Sequence, residues 1–258
     1  MNHKGKVLRL GFILLSMVSC SLFSVPGAHA QGQSLGLRLS VGSSFQMRND
    51  VQIPNDENGT RFSLANTVGE GPVNAVRLEA LWSINERHGI RLMLAPLSYS
   101  ELTAFDTPVS FEGEFFNANE PLDAGYRFNS WRIGYFYTWK KTDRTTLRLG
   151  GTLKIRDAEI RLEQGDTVAF NDDLGVVPLL YLSGRWALSD RWILGADLDA
   201  LGGGPGRAID FGLSLDYALN QKWSVGVNAR VLDGGADIDE LFNFATFTSA
   251  SVSVSRSL

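Results

Sequence analysis

Ionisable side chains alternate with apolar residues along much of this chain. In the segment LSGRWALSDRWILGADLDAL, residues 182–201, Asp197 and Asp199 occupy alternate positions of an otherwise apolar run. Aspartates this close could form a carboxylate-only acid–base site, with Asp210 as a further candidate. The same spacing would also line a polar channel with fixed charge.

Hydrolytic sites of the Ser-His-Asp, Cys-His or Asp-His type need an imidazole beside the nucleophile or its water. Of the three histidines, His3 and His29 precede the segment that we expect to fold, and His88 lies in a short turn. Paired aspartates among many arginines are more typical of structural ion pairs. We therefore predict no catalytic residues and a protein that is not an enzyme.

The sequence also predicts no metal site and no cofactor. Its one cysteine, Cys20, is near the N-terminus, so the thiolate and imidazole ligands of zinc are missing. The segment DGGADIDE lacks the spacing of a calcium loop, and GGGPGRA (202–208) lacks the ending of a phosphate-binding loop. Acidic residues of the connecting segments are expected to be solvated, with weak cation bridging to lipopolysaccharide as the alternative: Glu112, Glu114, Glu120, Asp123, Asp166, Asp172, Asp173, Asp233, Asp237, Asp239 and Glu240.

The N-terminus determines the expected compartment. Basic residues precede the apolar run 10–25, and small residues lead up to Ala30, as in a secretory signal peptide. Residues 1–30 are therefore predicted to be a cleaved signal peptide and 31–258 a single barrel domain. An alternative is lipidation at Cys20. Net charge is mildly negative, at −4, so nucleic acid is not an expected partner.

Period-two alternation of apolar and polar residues dominates from Leu35 to the C-terminus and predicts ten strands. After the signal segment there is no run of 18 apolar residues, which excludes a helical membrane protein. The predicted fold class is all-β, a transmembrane antiparallel up-and-down β-barrel of about ten strands. Eight or twelve strands remain as alternatives if the segment 95–128 is misinterpreted.

Four connections are predicted to be three-residue turns at one end of the barrel, since facing residues of a hairpin must point to the same side. Longer connections are expected at the other end. The predicted turns are 86–88, 142–144, 189–191 and 220–222, and the predicted longer connections are 49–72, 104–126, 164–175, 202–207 and 233–242.

Large aromatic residues collect beside the short turns, on the apolar face of the strands. Indole and phenol rings are most stable where hydrocarbon meets lipid headgroups, so these residues predict an interface girdle. A soluble barrel or sandwich with the two faces exchanged would not need this placement. The predicted girdle consists of Trp82, Trp139, Trp186, Trp192, Tyr217 and Trp223.

Turns such as ALSDRW and ALNQKWSV between alternating strands, behind a signal peptide, resemble those of small outer-membrane β-barrel proteins of Gram-negative bacteria. The resemblance covers nearly the whole chain after residue 30 and is one of architecture. It implies an outer-membrane location, with turns in the periplasm and acidic loops outside. Such barrels usually end in an aromatic residue, whereas this chain ends in Leu258.

With the apolar face outward, the polar face forms the lumen. We expect either a salt-bridged plug or a narrow pore for ions or small polar solutes, and we favour the plug. The function expected is structural or loop-mediated interaction, and the partners are outer-membrane lipid, lipopolysaccharide and an extracellular molecule bound by the acidic loops, with the barrel as a monomer. The predicted lumen set comprises Arg38 and Arg91 with the charge network Arg77, Glu79, Arg132, Arg148, Lys154, Arg156, Arg185, Asp197, Asp199, Asp210, Asp216 and Arg230.

Overall fold

A computed structural model describes residues 33–258, so the predicted signal peptide lies outside the described residues. Ten strand positions close into one antiparallel β-barrel. The strands are β1 (Ser34–Gln52), β2 (Phe62–Ser63), β3 (Val73–Ser83), β4 (His88–Ala95), β5 (Ser98–Thr103), β6 (Val109–Phe111), β7 (Glu114–Phe116), β8 (Leu122–Lys141), β9 (Thr145–Gln164), β10 (Thr167–Ala187), β11 (Trp192–Gly203), β12 (Gly206–Ala218), β13 (Trp223–Asp237) and β14 (Phe242–Ser257).

The predicted fold class and strand number are confirmed. Each barrel strand pairs with its neighbours along the chain, and β14 pairs with β1 to close the sheet. The difficult segment around 95–128 adds no extra barrel position, because β5 continues the position of β4 along β8. A single five-residue helix, α1 (Leu64–Val68), lies within the described range, where no helix is long and apolar enough to cross a membrane.

The hairpin registers follow the predicted parity. Trp186 pairs with Leu194, and Leu188 donates its N–H to the carbonyl of Trp192, which leaves 189–191 as the turn. The turn at 220–222 also lies where the sequence predicts it. The prediction of a three-residue turn at 142–144 is wrong, because Thr142 pairs with Thr145 across a two-residue turn at 143–144. A bulge between Thr138 and Lys140 restores the predicted parity along the rest of β8. One turn is shifted by a residue, because Trp82 pairs with Ile90 and the turn occupies 85–87 instead of 86–88.

The first residue of each three-residue turn explains the position of the turn. Asn85 accepts hydrogen bonds from the backbone N–H groups of Arg87 and His88, both at 2.9 Å. Asn220 and Ser189 make the same pair of contacts two and three residues ahead. Asn and Ser favour this local closure, so Asn85, rather than Glu86, opens its turn.

The prediction of a long connection at 164–175 is wrong. β9 and β10 run through this segment and are joined by residues 165–166 alone, and β11 and β12 are joined by residues 204–205. In the extended part of this hairpin the polarity is inverted. Ile160, Leu162 and Ala169 point inward and are buried, whereas Asp157 and Glu159 point outward. The prediction failed because it looked for apolar residues on the outward face, and in this segment they lie on the inward face.

An apolar belt surrounds the barrel. On β8 it runs from Trp131 to Trp139, and each other barrel strand presents an outward apolar series of similar length. About 9–11 tilted residues suffice to cross a bilayer. Leu213 and Val227 are 45% and 57% exposed on this face, while Asp199 and Arg132 are buried at 0% and 4%. The alternative with exchanged faces is thus excluded.

The six predicted girdle residues all lie on the outer face beside the short turns. Four of them are exposed, and the rings of Trp192 and Tyr217 meet edge to face at 5.0 Å. Arg191, in the adjoining turn, donates a hydrogen bond of 2.8 Å to the Tyr217 hydroxyl, which raises the pKa of its guanidinium. A charged turn beside amphipathic rings suits the headgroup boundary.

Quenching of tryptophan fluorescence should show how deep each tryptophan lies in the bilayer. In vesicles, a variant that keeps only Trp192 is expected to be quenched more strongly by lipids brominated near the headgroup than by lipids brominated at the chain end. Trp131, at the other margin of the belt, should give the same preference, whereas a tryptophan placed at Val227 should reverse it. Equal quenching by both lipids at Trp192 would contradict the girdle.

Connecting segments fold into the opposite end of the barrel and form an apolar cap. The β6–β7 hairpin and α1 pack against inward residues of β1, β8, β9 and β14. The loop aromatics Phe105, Phe111 and Phe116 are buried in this cap, whereas Phe115 is 59% exposed. The cap consists of Val51, Ile53, Leu64, Phe105, Val109, Phe111, Phe116, Leu122, Ala124, Tyr126, Ile160, Leu162, Ala169, Ala245 and Phe247.

Candidate functional site

Ion pairs cross the middle of the lumen, and we call this set the ionic layer. Its members come from strands on opposite walls, since β11 and β12 face β3, β4 and β8 across the barrel. Alternation on each strand points these side chains inward. The layer comprises Arg77, Glu79, Arg91, Arg132, Asp197, Asp199, Asp210 and Arg230.

Asp210 is the centre of the ionic layer. It accepts hydrogen bonds from Arg132 on β8 and Arg230 on β13, and Arg77 on β3 reaches it at 3.4 Å. Only 4% of its side chain is exposed. Hydrogen bonds between a guanidinium group and a carboxylate are charge-assisted and stronger than those between neutral groups. Asp210 therefore ties three parts of the wall together.

Asp199 makes the second cross-lumen contact. It pairs with Arg91 on β4 and, at 2.6 Å, with Arg132, and its other oxygen accepts a hydrogen bond of 2.8 Å from Thr152. Arg132 thereby bridges the two aspartates. At the edge of the layer Arg230 reaches Asp197 at 2.8 Å. The pattern of charges did not single out Thr152, because a neutral residue adds nothing to a count of charges.

Room for the ionic layer comes from a glycine on β12. A Cβ atom on Gly212 would lie 2.2 Å from Arg230 Nη2 and 2.9 Å from Asp197 Oδ1. Any larger residue would displace this pair. Gly212, which lies between the two aspartates of this strand, was a signal in the sequence that charge counting overlooked.

Not all of the predicted lumen charges join the layer. Asp216 pairs with Arg38 and lies 3.8 Å from Arg185, closer to the short-turn end. Arg156 pairs with Asp173 on the neighbouring strand. Within the described residues, Arg148 and Lys154 have no carboxylate within 4.0 Å, and each stacks on a ring instead, Arg148 on Phe136 and Lys154 on Phe128.

Two chambers of similar size lie on either side of the ionic layer. The lower chamber, of about 440 Å³, is near the short turns and contains Arg148 and Arg185. The upper chamber, of about 430 Å³, lies between the layer and the apolar cap and contains Lys154 and Arg156. A smaller cavity of about 120 Å³ lies within the layer. The ionic layer thus lies between the two chambers, and the small cavity within it shares lining residues with both.

The only histidine of the described residues is remote from both chambers. His88 begins β4 beside a short turn, and its Nδ1 lies 2.6 Å from the Tyr135 hydroxyl. Both side chains face outward at the level of the girdle. Asp197, Asp199 and Asp210 lie near one another, as the sequence suggested, but each is paired with arginine.

Comparison with known proteins bears on the fold. No family model and no curated protein matches the chain. Among solved structures, the outer membrane protease OmpT from Escherichia coli is similar over 87% of this chain and 97% of its own, with a TM-score of 0.53 at 9% identity.

The fold is that of the outer-membrane β-barrel proteins.

The attachment invasion locus protein Ail of Yersinia pestis also matches, over 89% of this chain and all of its own, with a TM-score of 0.38 at 9% identity. A Pseudomonas aeruginosa FadL homologue covers 88% of this chain and 90% of its own, with a TM-score of 0.38 and 9% identity. The belt and girdle suit the outer membrane in which such barrels lie.

Proposed function

We propose that this chain is an integral outer-membrane barrel with a closed lumen, and that it acts through its outer end and its contacts with lipid, not as a pore or a hydrolase. The observation that carries the proposal is the ionic layer, because its ion pairs connect opposite walls. The apolar cap adds a second barrier above it. A solute would have to break both barriers to pass.

The electrostatics of the layer favour closure over conduction. In an open pore, charges on opposite walls are separated by water and act on the passing ion. Here Arg132 contacts both Asp199 and Asp210, and all three side chains are at most 4% exposed. Removing one partner of such a buried pair is costly, so the layer resists thermal opening.

Planar-bilayer recording tests this directly. The purified wild-type barrel is expected to give no conductance steps, and deleting the cap segment 104–121 should leave it silent because the ionic layer remains. Stepwise currents in the wild type that change in size after Asp197→Asn would instead establish the narrow pore. Foldedness of each variant is checked by its mobility in sodium dodecyl sulfate without heating.

Lipid and lipopolysaccharide are the partners that the outer rim suits. Just above the belt, Arg127 pairs with Asp157 at 3.1 Å and with Glu159 at 3.3 Å, and Arg207 pairs with Asp233. Exposed cations and carboxylates at this level meet phosphate groups and their divalent counterions. An extracellular partner would bind the acidic connections beyond them. The barrel is proposed to act as a monomer.

A further inference from the structure

The barrel wall is incomplete on one side of its outer half. β10 pairs with β11 only from Leu180–Ala200 to Ala187–Ile193. Beyond Leu180, β10 continues to Thr167 against β9 alone, while β11 turns back at Gly203. Within the described residues, 167–179 therefore have no strand partner on the β11 side. A gap separates the tall β9–β10 hairpin from the short β11–β12 hairpin.

The sequence of β10 ends the ladder at this point. Ala187 donates its N–H to Arg144, on the β9 side. Successive residues of a strand direct their backbone groups to alternate neighbours, so Pro178, nine residues earlier, faces β11. Proline has no N–H to contribute to a ladder and is tolerated at free edges. The first position beyond the last β10–β11 pair that would donate to β11 thus cannot do so.

The lower end of the gap lies at the outer margin of the apolar belt, because Val176 is level with Ile155 and Trp131. Leu174, Val176 and Leu180 on the β10 side are 73%, 64% and 67% exposed, whereas Leu213, Val227 and Val252 in the continuous wall are 45%, 57% and 64% exposed. The two leucines are the more exposed because the next strand is missing beside them. Lipid chains of the outer leaflet would therefore contact the margin of the gap.

The gap leads into the upper chamber. Val177 of β10 and Leu201 of β11, from the two margins, both line this chamber of about 430 Å³, a volume within the range of small-molecule sites. Lys154 lines it as well. Only 4% of Lys154 is exposed, and its ammonium lies 4.6 Å from the centre of the Phe128 ring, with no carboxylate within 4.0 Å among the described residues.

We propose that the upper chamber binds an amphiphile with one anionic headgroup and a single acyl chain, taken laterally from the outer leaflet through the gap between β10 and β11. The headgroup pairs with Lys154, and the chain passes between Val177 and Leu201 to the bilayer. The inference rests on the proposed function only for the membrane location of the barrel.

The chemistry of the chamber selects these two features. A buried ammonium without a counterion is unfavourable, and a ligand carboxylate or phosphate would supply the partner that the chain does not. The rest of the lining is mixed. Leu232 and Phe247 are apolar, whereas the charged Arg156, Arg207 and Asp233 are already engaged in ion pairs, Arg156 with Asp173 and Arg207 with Asp233. A neutral lipid would leave the cation uncompensated, and a short anion would leave the apolar lining empty.

The test is competition for a photoreactive probe. Purified barrel in phospholipid vesicles is labelled with palmitate that carries a diazirine in the first half of its chain, where the chain passes through the gap. Unlabelled palmitate is expected to compete at least about tenfold better than hexadecanol, since a charge-assisted pair is lost with the neutral head. Acetate, which has no chain, should not compete. Peptide mapping should place the label on residues 174–180 and 200–203.

Matched variants separate the headgroup site from general charge. Lys154→Met should weaken palmitate binding at least about tenfold and make palmitate and hexadecanol equal competitors. Arg148→Met is the control, because Arg148 is the other inward cation without a carboxylate but lies in the lower chamber. Should Lys154→Met fail to fold, Leu201→Trp, which fills the mouth of the gap, should abolish labelling, with Val227→Trp on the continuous wall as its control.

Equal competition by palmitate and hexadecanol in the wild type, or label spread evenly around the belt, would overturn the inference. The outcome is independent of conductance. A silent barrel that does not bind palmitate would retain the proposed function and lose this site, and a conducting barrel that binds it would do the reverse.

Discussion

Asp210→Ala is expected to lower the free energy of unfolding of the barrel by about 3–5 kcal/mol, the usual cost of removing one partner from a buried ionic cluster. The substitution leaves Arg132, Arg230 and Arg77 facing one another across the lumen without their shared carboxylate. Three like charges at this depth are poorly screened. Equilibrium unfolding by urea in vesicles, followed by tryptophan emission, measures the loss.

Two control substitutions test whether the loss of stability depends on how deeply the carboxylate is buried. Asp197→Ala removes a carboxylate that pairs with Arg230 and has a side chain 26% exposed, so its cost should be smaller. Asp157→Ala on the outer rim breaks a pair with Arg127, 36% exposed, and should cost no more than about 1 kcal/mol. If all three substitutions cost the same, the layer is hydrated and the closed-lumen proposal loses its support.

The parts of the fold that alternation determines were predictable from the sequence. Residues such as Leu194 and Val227 point outward because a strand repeats every two residues, and the parity of the short turns then places Trp186 opposite Leu194. The same parity places Asp199 and Arg132 in the lumen. Local sequence therefore determined which side of the wall each residue faces.

The pairing of charges across the lumen was not predictable in the same way. Which guanidinium group contacts Asp199 depends on the tilt of the strands and on how the ten strands close into a barrel. Neither can be predicted from the sequence of a single strand. Asp199 reaches β4 and β8, on the far side of the barrel. Closure brings together residues as far apart as Arg91 and Asp199.

The upper chamber escaped prediction for two reasons. Above the belt the strands carry apolar residues inside and polar residues outside, the reverse of the pattern below. The gap is a place where two strands do not pair, and the alternation of apolar residues along a strand does not show which strands pair. One signal was available, because Pro178 interrupts β10 at an outward position where a continuous wall would need a backbone donor.

Phe111→Ala is expected to open the apolar cap while the barrel stays folded. Phe111 is fully buried, and its ring meets Phe62 edge to face at 6.0 Å. Truncating a buried phenylalanine costs about 3–5 kcal/mol. The hairpin that carries it is held to residues 53–60 by two backbone hydrogen bonds, from Glu112 to Ile53 and from Thr60 to Ser110. The loss therefore falls on local opening of the cap.

Trypsin cleavage at the exposed Arg61, in barrels inserted into vesicles, reports this opening. The rate should rise at least about a hundredfold in Phe111→Ala, since 1.4 kcal/mol corresponds to a factor of ten and cleavage follows the open population. Phe115→Ala is the matched control, because Phe115 lies on the same hairpin, is 59% exposed and should leave the rate unchanged. Equal cleavage of the two variants would mean that the cap is not a packed unit. Urea unfolding of the barrel itself should be the same in both, because the β6–β7 hairpin lies outside the closed sheet.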